Sequence, residues 1–264
     1  LHRLIRRQRQ MCIRDRFYHS GRNIALTEYG VALQEALTPV LKTLHQIPNQ
    51  LQQLAQERET TIRLNVLAAS TLVTQALISY KKDHDGLNFQ LFQNSQCEDA
   101  DITVFTRENF QIPAGNKDRY ELFKERIFLA VPADSPYASE ESVRLKDFAH
   151  QDFISLSGSR SIRTICDRYC MQAGFVPHII YESDSPDTVK NLIASGLGVG
   201  FWPHYTWSTD SMEQIRLMPI AEPTCQRAII LQLHRHARVQ EAVCSFYAFL
   251  NRYLRQLKAA EKTG

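Results

Sequence analysis

The stretch TEYGVALQEALTPVLKTLHQIPNQLQQLAQERE, residues 27–59, decides how the rest of this chain is arranged. Its apolar residues recur at alternating steps of four and three, which is the spacing of a coiled-coil seam. The seam consists of Leu33, Leu37, Val40, Leu44, Ile47, Leu51 and Leu54. Most residues between them are polar, so the stripe needs a partner outside its own helix, and a homodimer is the simplest way to provide one.

The two ends and the interior of this helix carry separate signals. Thr27 is a suitable cap, and Glu28 in the first turn complements the helix dipole. Pro39 and Pro48 each remove a backbone donor, at a cost of about 3 kcal/mol each, and can kink the helix. A bent amphipathic helix that packs on its own domain is therefore the alternative to a dimerisation helix.

The composition is that of an ordinary globular protein with a basic N-terminus. The chain has 264 residues, of which 44% are hydrophobic and 22% charged, and its net charge is +3. This length allows one large domain or two modest ones. Asp15 is the only acidic residue before Glu28, whereas arginines are frequent there. Nucleic acid is one candidate partner of such a segment, and a solvated basic tail is an equal alternative.

Membrane and redox signals are weak. No apolar run reaches the roughly 18 residues of a membrane span, and the N-terminus lacks a signal-peptide core, so we expect a cytoplasmic protein without membrane contact. The six cysteines include no C-x-x-C pair, so we predict no zinc site, no disulfide scaffold and no cofactor. Cys166 and Cys170 share a helix face, where packing is favoured over a thiol switch.

A hairpin is predicted directly before the helix. Residues 20–23 have the sequence of a tight turn, and Ile24 and Leu26 alternate as in a short strand. The run from this turn to Leu-Thr-Glu-Tyr-Gly at residues 26–30 resembles the wing of LysR-type transcriptional regulators, which ends in Leu-Thr-x-x-Gly. Arg16 and His19 depart from the residues usual in that wing.

The resemblance implies roles for these segments. Residues 17–28 correspond to a wing remnant of a winged helix-turn-helix, and residues 29–59 to the linker and dimerisation helix. The expected DNA contacts are His19, Arg22 and Asn23. Residues 1–16 do not resemble the helix-turn-helix that the family places before the wing, and residues 11–16 resemble a translated sequencing adapter. We interpret this segment as foreign and the reading frame as truncated or chimeric.

Beyond residue 59, alternating strands and helices predict an α/β class. The predicted strands cover residues 62–66, 87–92, 101–105, 120–131, 153–156, 178–181, 197–203 and 228–233; the predicted helices cover 72–80, 162–173, 188–194 and 239–257, with a short helix start near Ser139. Ser185 is a natural cap with Pro186 at the first helical position. Residues 93–100 join two predicted strands and are too few to form the helix of a parallel crossover. We therefore expect one wall of any ligand-binding cleft to be thin or reshaped.

The run LGVGFWP at residues 197–203 resembles the Gly-x-Gly strand of the same family. The resemblance covers roughly residues 17–257 and implies a two-lobed, periplasmic-binding-protein-like effector domain over residues 60–257, preceded by the linker helix. Lobe I is expected at about 60–133 and 224–257, lobe II at about 134–223, and a tail at 258–264. The implied function is a DNA-binding transcriptional regulator that senses an effector allosterically, as a homodimer or alternatively a tetramer.

Hydroxyl and charged residues stand where predicted strands give way to helices. Such positions offer free backbone donors and the positive end of the helix dipole, at the sheet edge where ligands collect. We expect a small polar or anionic metabolite as effector, bound by Ser70, Thr71, Thr106, Ser157, Ser159, Arg160, Asp184 and Ser185. Helix capping is the alternative for each residue alone. Arg163 can pair with an anion like Arg160, or lie on a solvated helix face.

Enzyme signals are poor, so we predict no catalytic residue and no metal site. Residues 157–159 do not form a Gly-x-Ser-x-Gly elbow, and glycines 196, 198 and 200 follow a helix, which is the wrong context for a dinucleotide loop. His234 and His236 are interpreted as surface residues, and Trp202, Tyr205 and Trp207 as core rather than pocket residues. The alternative function is a cytoplasmic small-molecule-binding module without a DNA role; a cleft hydrolase is least favoured.

We expect weak or sequence-independent DNA binding from this chain, because no base-reading helix is identified. The resemblance implies double-stranded DNA as a partner of the full-length parent.

Overall fold

The computed structural model describes residues 16–20, 22–93, 97–158, 160–207 and 213–260. Several predictions fall on residues outside these ranges. They concern residues 1–15 of the segment interpreted as foreign, the predicted site residue Ser159, and the side chains of His19 and Leu54. The chain divides into two units, residues 1–59 and 60–264, which are described separately.

The elements follow each other in an α/β order. The strands are β1 (Phe17–Ser20), β2 (Asn23–Leu26), β3 (Thr61–Val66), β4 (Asn88–Phe92), β5 (Ile102–Arg107), β6 (Arg119–Pro132), β7 (Val143–Arg144), β8 (Asp152–Leu156), β9 (His178–Ser183), β10 (Gly200–Pro203), β11 (Ile215–Met218), β12 (Ile220–Glu222) and β13 (Gln226–Leu233). The helices are α1 (Glu28–Thr60), α2 (Ser70–Lys81), α3 (Ser161–Gln172), α4 (Pro186–Ala194) and α5 (Glu241–Ala260).

The predicted strands and helices are all present, with small changes at their ends. Strands β7, β11 and β12 were not predicted. The helix start expected near Ser139 is wrong, because residues Pro136–Ser139 form a single 3-10 turn that ends there. Further 3-10 turns cover Leu145–Phe148 and Arg235–Val239.

The first unit is a hairpin followed by a long helix. β1 and β2 pair antiparallel, as predicted. The Thr27 side chain caps α1, because its Oγ1 accepts a hydrogen bond of 3.1 Å from the backbone N–H of Gly30. A Cβ atom on Gly30 would lie 2.0 Å from the carbonyl oxygen of Arg16, so only glycine lets the start of the hairpin pass this close to the helix.

Helix α1 continues through Pro39 and Pro48, so neither proline ends it. The seam side chains that the structure describes are between 40% and 60% exposed in the single chain, namely Leu33, Leu37, Val40, Leu44, Ile47 and Leu51. Their apolar surface is therefore accessible to a second helix.

A seven-stranded sheet organises the second unit, in the order β10-β6-β13-β5-β3-β4 with β11 also beside β6. β3 pairs in parallel with β4 on one side and β5 on the other, so the segment joining β4 to β5 crosses β3. The Asn65 side chain of β3 fixes this crossing, since it donates to the carbonyl of Cys97 and accepts from its N–H, both at 3.0 Å. An amide side chain thus anchors a crossover that is too short for the usual helix.

Strand β6 runs through both hydrophobic cores of this unit. Its residues 119–126 pair with β13, whereas residues 127–132 pair with β10 and β11. Phe123 belongs to a cluster with β3, α2, β5, β13 and α5. Ile127 and Leu129 belong to a second cluster with β8, α3, α4 and β10. One continuous strand therefore connects two separately packed groups of elements.

The last two elements complete the first of these clusters. β13 lies between β5 and β6, and its residues 227–231 are buried. Helix α5 covers the sheet with one apolar stripe, in which Val243, Phe246, Leu250 and Leu254 recur at helical spacing and are buried. Among the described helices, none is both long and apolar enough to cross a bilayer.

Two glycines let the chain before β10 approach β8. The N–H of Ile154 donates to the carbonyl of Val199 at 2.8 Å, and the N–H of Val199 donates to that of Asp152 at 2.9 Å. A Cβ atom on Gly198 would lie 2.6 Å from the oxygen of Asp152, and one on Gly200 would lie 2.8 Å from that of Ile154. This close approach is the physical reason for the Gly-x-Gly pattern.

Candidate effector-binding site

A cleft with a volume of about 360 Å³ lies between elements of the two clusters. Its first wall is the chain from the end of β3 into α2, residues 66–71. The opposite wall consists of the starts of α3 and α4. The lining also includes Gln93, Leu156, Thr206, Trp207 and Arg227. The cleft thus lies at the carboxyl ends of strands β3 and β8, where open α/β sheets bind ligands.

Three helices begin at this cleft, at Ser70, Ser161 and Pro186. The cap residues of α2 and α3 make no side-chain cap hydrogen bond. The first N–H groups of these two helices therefore have no capping side chain as acceptor, and they add their dipoles to a common positive potential. Ser185 does cap α4, since its Oγ accepts a hydrogen bond of 3.4 Å from the N–H of Thr188; this confirms the predicted cap.

The backbone is strained at the first wall. Ala69, directly before α2, has φ 61° and ψ 32° and lies in the left-handed region, which residues with a Cβ atom rarely adopt. Such conformations concentrate at functional sites, where the surrounding structure enforces them.

Five of the eight predicted effector residues line the cleft: Ser70, Thr71, Arg160, Asp184 and Ser185. Thr106 lies beneath it instead, with 1% of its surface exposed, and its hydroxyl hydrogen-bonds at 2.8 Å to that of Ser161, which does line the cleft. Ser157 is not among the residues that line the cleft. Its backbone N–H donates a hydrogen bond of 2.9 Å to the carbonyl of Ser183.

Sequence reasoning missed a charged pair below the cleft. Arg227 and Glu125 are 4% and 0% exposed, and the arginine Nε donates to the carboxylate at 2.6 Å. The other carboxylate oxygen accepts from the N–H groups of Tyr205 and Thr206 at 2.8 and 2.7 Å, and an arginine Nη donates to the Thr206 hydroxyl at 2.6 Å. The available signal was a charged residue, Arg227, directly before the apolar run of residues 228–231 in β13.

Lys190 was missed as well. It is 8% exposed, and its ammonium lies 3.2 Å from a carboxylate oxygen of Asp187. The same ammonium lies 5.4 and 5.9 Å from the ring centres of Trp202 and Trp207, within the range of cation–π attraction. The interpretation of Trp207 as a core residue is incomplete, because it is buried and also lines the cleft. The available sequence signal for Lys190 was its position next to the apolar Val189 in an amphipathic helix.

The other candidate groups have structural roles. Burial raises the pKa of Cys170 and Cys225 to about 12, so both remain unreactive thiols at neutral pH. The interpretation of His234 as a surface residue is wrong, since it is half-buried and its Nε2 lies at hydrogen-bonding distance, 2.8 Å, from the hydroxyl of Thr103. Within the described ranges, no group of three or more His, Cys, Asp or Glu side chains could hold a metal ion.

The chain belongs to the LysR family, because its residues 55–255 match the family model of the LysR substrate binding domain. A relative is the transcriptional dual regulator GltC of Bacillus subtilis (strain 168), which is 24% identical over 254 residues; the alignment covers 92% of this chain and 83% of GltC. The LysR-type proteins are regulators of transcription with an effector-binding domain, and the second unit has the fold of that domain.

Solved structures share this fold. The effector-binding domain of QuiR in complex with shikimate has a TM-score of 0.60 at 18% identity and covers 74% of this chain and 97% of its own. The regulatory domain of CcmR from Synechocystis PCC6803, in complex with 2-PG, has a TM-score of 0.63 at 15% identity, with coverages of 73% and 96%. The predicted fold class is confirmed: a periplasmic-binding-protein-like α/β domain preceded by a long helix.

Replacing Glu125 by Gln is expected to destabilise the chain by about 3–5 kcal/mol, because it leaves the Arg227 charge buried without a counter-ion. Equilibrium denaturation in urea measures this change. Glu121→Gln is the matched control on the same strand: its partners Arg119 and Arg255 have side chains 58% and 64% exposed, so about 1 kcal/mol or less is expected. Equal losses in the two variants would contradict the role of the buried pair.

Proposed function

We propose that this chain is the sensing and dimerising part of a LysR-type regulator, and that its cleft binds a small anionic or polar metabolite. The observation that carries the proposal is the convergence of three helix starts on one cleft that also contains Arg160, Lys190 and Arg227. Helix dipoles and cationic side chains both favour an anion at this place. The ligand-bound structures of QuiR and CcmR support a ligand in a domain of this fold.

The proposed lobes are residues 60–133 with 224–257, and residues 134–223. Three side-chain contacts join them along α3: the hydroxyls of Thr106 and Ser161 at 2.8 Å, Glu108 with Arg168 at 2.6 Å, and the Tyr169 hydroxyl with the carbonyl of Gln226 at 2.7 Å. A ligand that touches both walls of the cleft favours one arrangement of the lobes over others. That differential affinity is the source of the allosteric signal that we propose.

The effector site is tested by a thermal-shift screen of the purified chain against polar metabolites. A ligand present at about 100 times its Kd is expected to stabilise the chain by about 2.7 kcal/mol. Thr71→Val removes one hydroxyl from the cleft and is expected to weaken binding by roughly fivefold, since a hydrogen bond contributes about 1 kcal/mol. Ser142→Ala, an exposed position outside the cleft lining, serves as control. A hit whose shift is the same in both variants would argue against this site.

We further propose that the seam of α1 forms a homodimer. Introducing Asp at Leu44 and Leu51 places four charges in the seam of a dimer and is expected to yield a monomer in sedimentation velocity. Asn49→Asp lies on the opposite side of the heptad and is expected to leave the dimer intact. A wild-type chain that sediments as a monomer would favour the alternative, a small-molecule-binding module.

For DNA we propose weak contact without sequence preference. Arg22 and Asn23 are exposed in the hairpin, and one arginine there can reach a phosphate but does not read bases. We place the protein in the cytoplasm, since its relatives are bacterial regulators of transcription. In a duplex titration at near-physiological salt, random and operator-like sequences are expected to bind equally and weakly; tight, selective binding would contradict this proposal.

A further inference from the structure

Lys190 differs from the other cations of the cleft in how its charge is balanced. Lysine is rarely buried to this degree unless it is paired, and 8% of this residue is exposed. The ammonium lies over the rings of both Trp202 and Trp207, which attract it through their faces. Its carboxylate partner, Asp187, has a side chain that is 85% exposed. The cation is therefore fixed in place, whereas its counter-ion is in contact with water.

The Lys190–Asp187 pair is easy to exchange. An ion pair with a partner this exposed contributes about 0–1 kcal/mol, because water competes for the carboxylate. Rotation of the Asp187 side chain into solvent leaves the carboxylate hydrated, and the cation–π contacts of the lysine do not depend on it. Asp187 also lies in the first turn of α4, where the helix dipole favours any negative group, including one from a ligand.

The other two cationic residues of the cleft are less suited to bind a ligand anion. Arg227 cannot readily exchange its carboxylate partner, and Arg160 is less enclosed by the protein. Arg227 is paired with Glu125, whose side chain is fully buried, so a ligand that displaced this carboxylate would leave a buried charge unpaired. Arg160 donates to the backbone carbonyl of Asp184 at 3.3 Å from a more open position. Lys190 thus combines a buried, fixed charge with a counter-ion that can leave.

We propose that Lys190 is the anion receptor of the cleft, and that a carboxylate or phosphate group of the effector replaces Asp187 at its ammonium. This assignment rests on the function proposed above and adds the residue that selects an anionic ligand. It also gives Asp187 a defined role: its carboxylate competes with the ligand for Lys190 and so lowers the affinity.

The protein contains its own reporter for this site. Its two tryptophans, Trp202 and Trp207, are the residues that contact the Lys190 ammonium. Intrinsic tryptophan fluorescence therefore measures the environment of that ammonium without a label. Acetate, succinate and inorganic phosphate are the probes, with sodium chloride at matched ionic strength as the reference titration.

A saturable fluorescence change is expected for the wild-type chain with at least one probe and not with sodium chloride. Lys190→Met keeps the length of the side chain and removes its charge, and is expected to weaken that binding at least tenfold. Asp187→Asn removes the competing carboxylate and is expected to strengthen binding severalfold. Because the two variants are expected to change affinity in opposite directions, general unfolding cannot produce both results. Lys82→Met, an exposed lysine at the far end of α2, is expected to match the wild type.

Three results would overturn the assignment: unchanged binding in Lys190→Met, weaker binding in Asp187→Asn, or no response of the wild type to any of the three probes. Comparison of succinate with phosphate identifies which anion class the receptor takes. The assignment of Lys190 can also fail while the proposed function holds. If a metabolite stabilises the wild type and Lys190→Met equally but loses affinity in Thr71→Val, the cleft is an effector site whose anion receptor is not Lys190.

Discussion

The buried pair of Glu125 and Arg227 is the interaction on which the second unit depends most. Glu125 lies on β6 next to the point where that strand leaves β13 and begins to pair with β10. Its carboxylate binds the arginine of β13 and the two N–H groups after β10. A buried charge of this kind is tolerable only when all its hydrogen bonds are satisfied, so the pair fixes three chain segments relative to one another.

The cleft follows from this geometry. Because β6 serves two separately packed cores, the elements of those cores meet along a line instead of merging into one core. The helices that follow β3, β8 and β9 begin along that line, and their N-termini supply backbone donors from both sides. Thr206 and Arg227, positioned by the ion pair, complete the lining. The same contacts that stabilise the fold therefore also shape the proposed binding site.

Much of the fold could be predicted because the positions of strands and helices depend on residues that are close together in the chain. Strand and helix positions follow from hydrophobic period and from caps such as Thr27 and Ser185, which act within a few residues. The site could be predicted only in part, since the reasoning selected hydroxyls at helix starts. It selected Ser70, Thr71 and Ser185, which line the cleft, and also Thr106, whose hydroxyl is hydrogen-bonded to that of Ser161 instead. No local pattern records which of two neighbouring hydroxyls points outwards.

The sequence by itself determined the α/β order of elements and the heptad seam of α1, because each depends on neighbours in the chain. Only the tertiary structure decided the charge chemistry of the cleft. Glu125 and Arg227 are 102 residues apart, and they are buried together only through the pairing of β6 with β13. Lys190 became a fixed cation because the packing of α4 placed it against Trp202 and Trp207. Burial and charge pairing arise from distant segments, which periodicity along the chain does not encode.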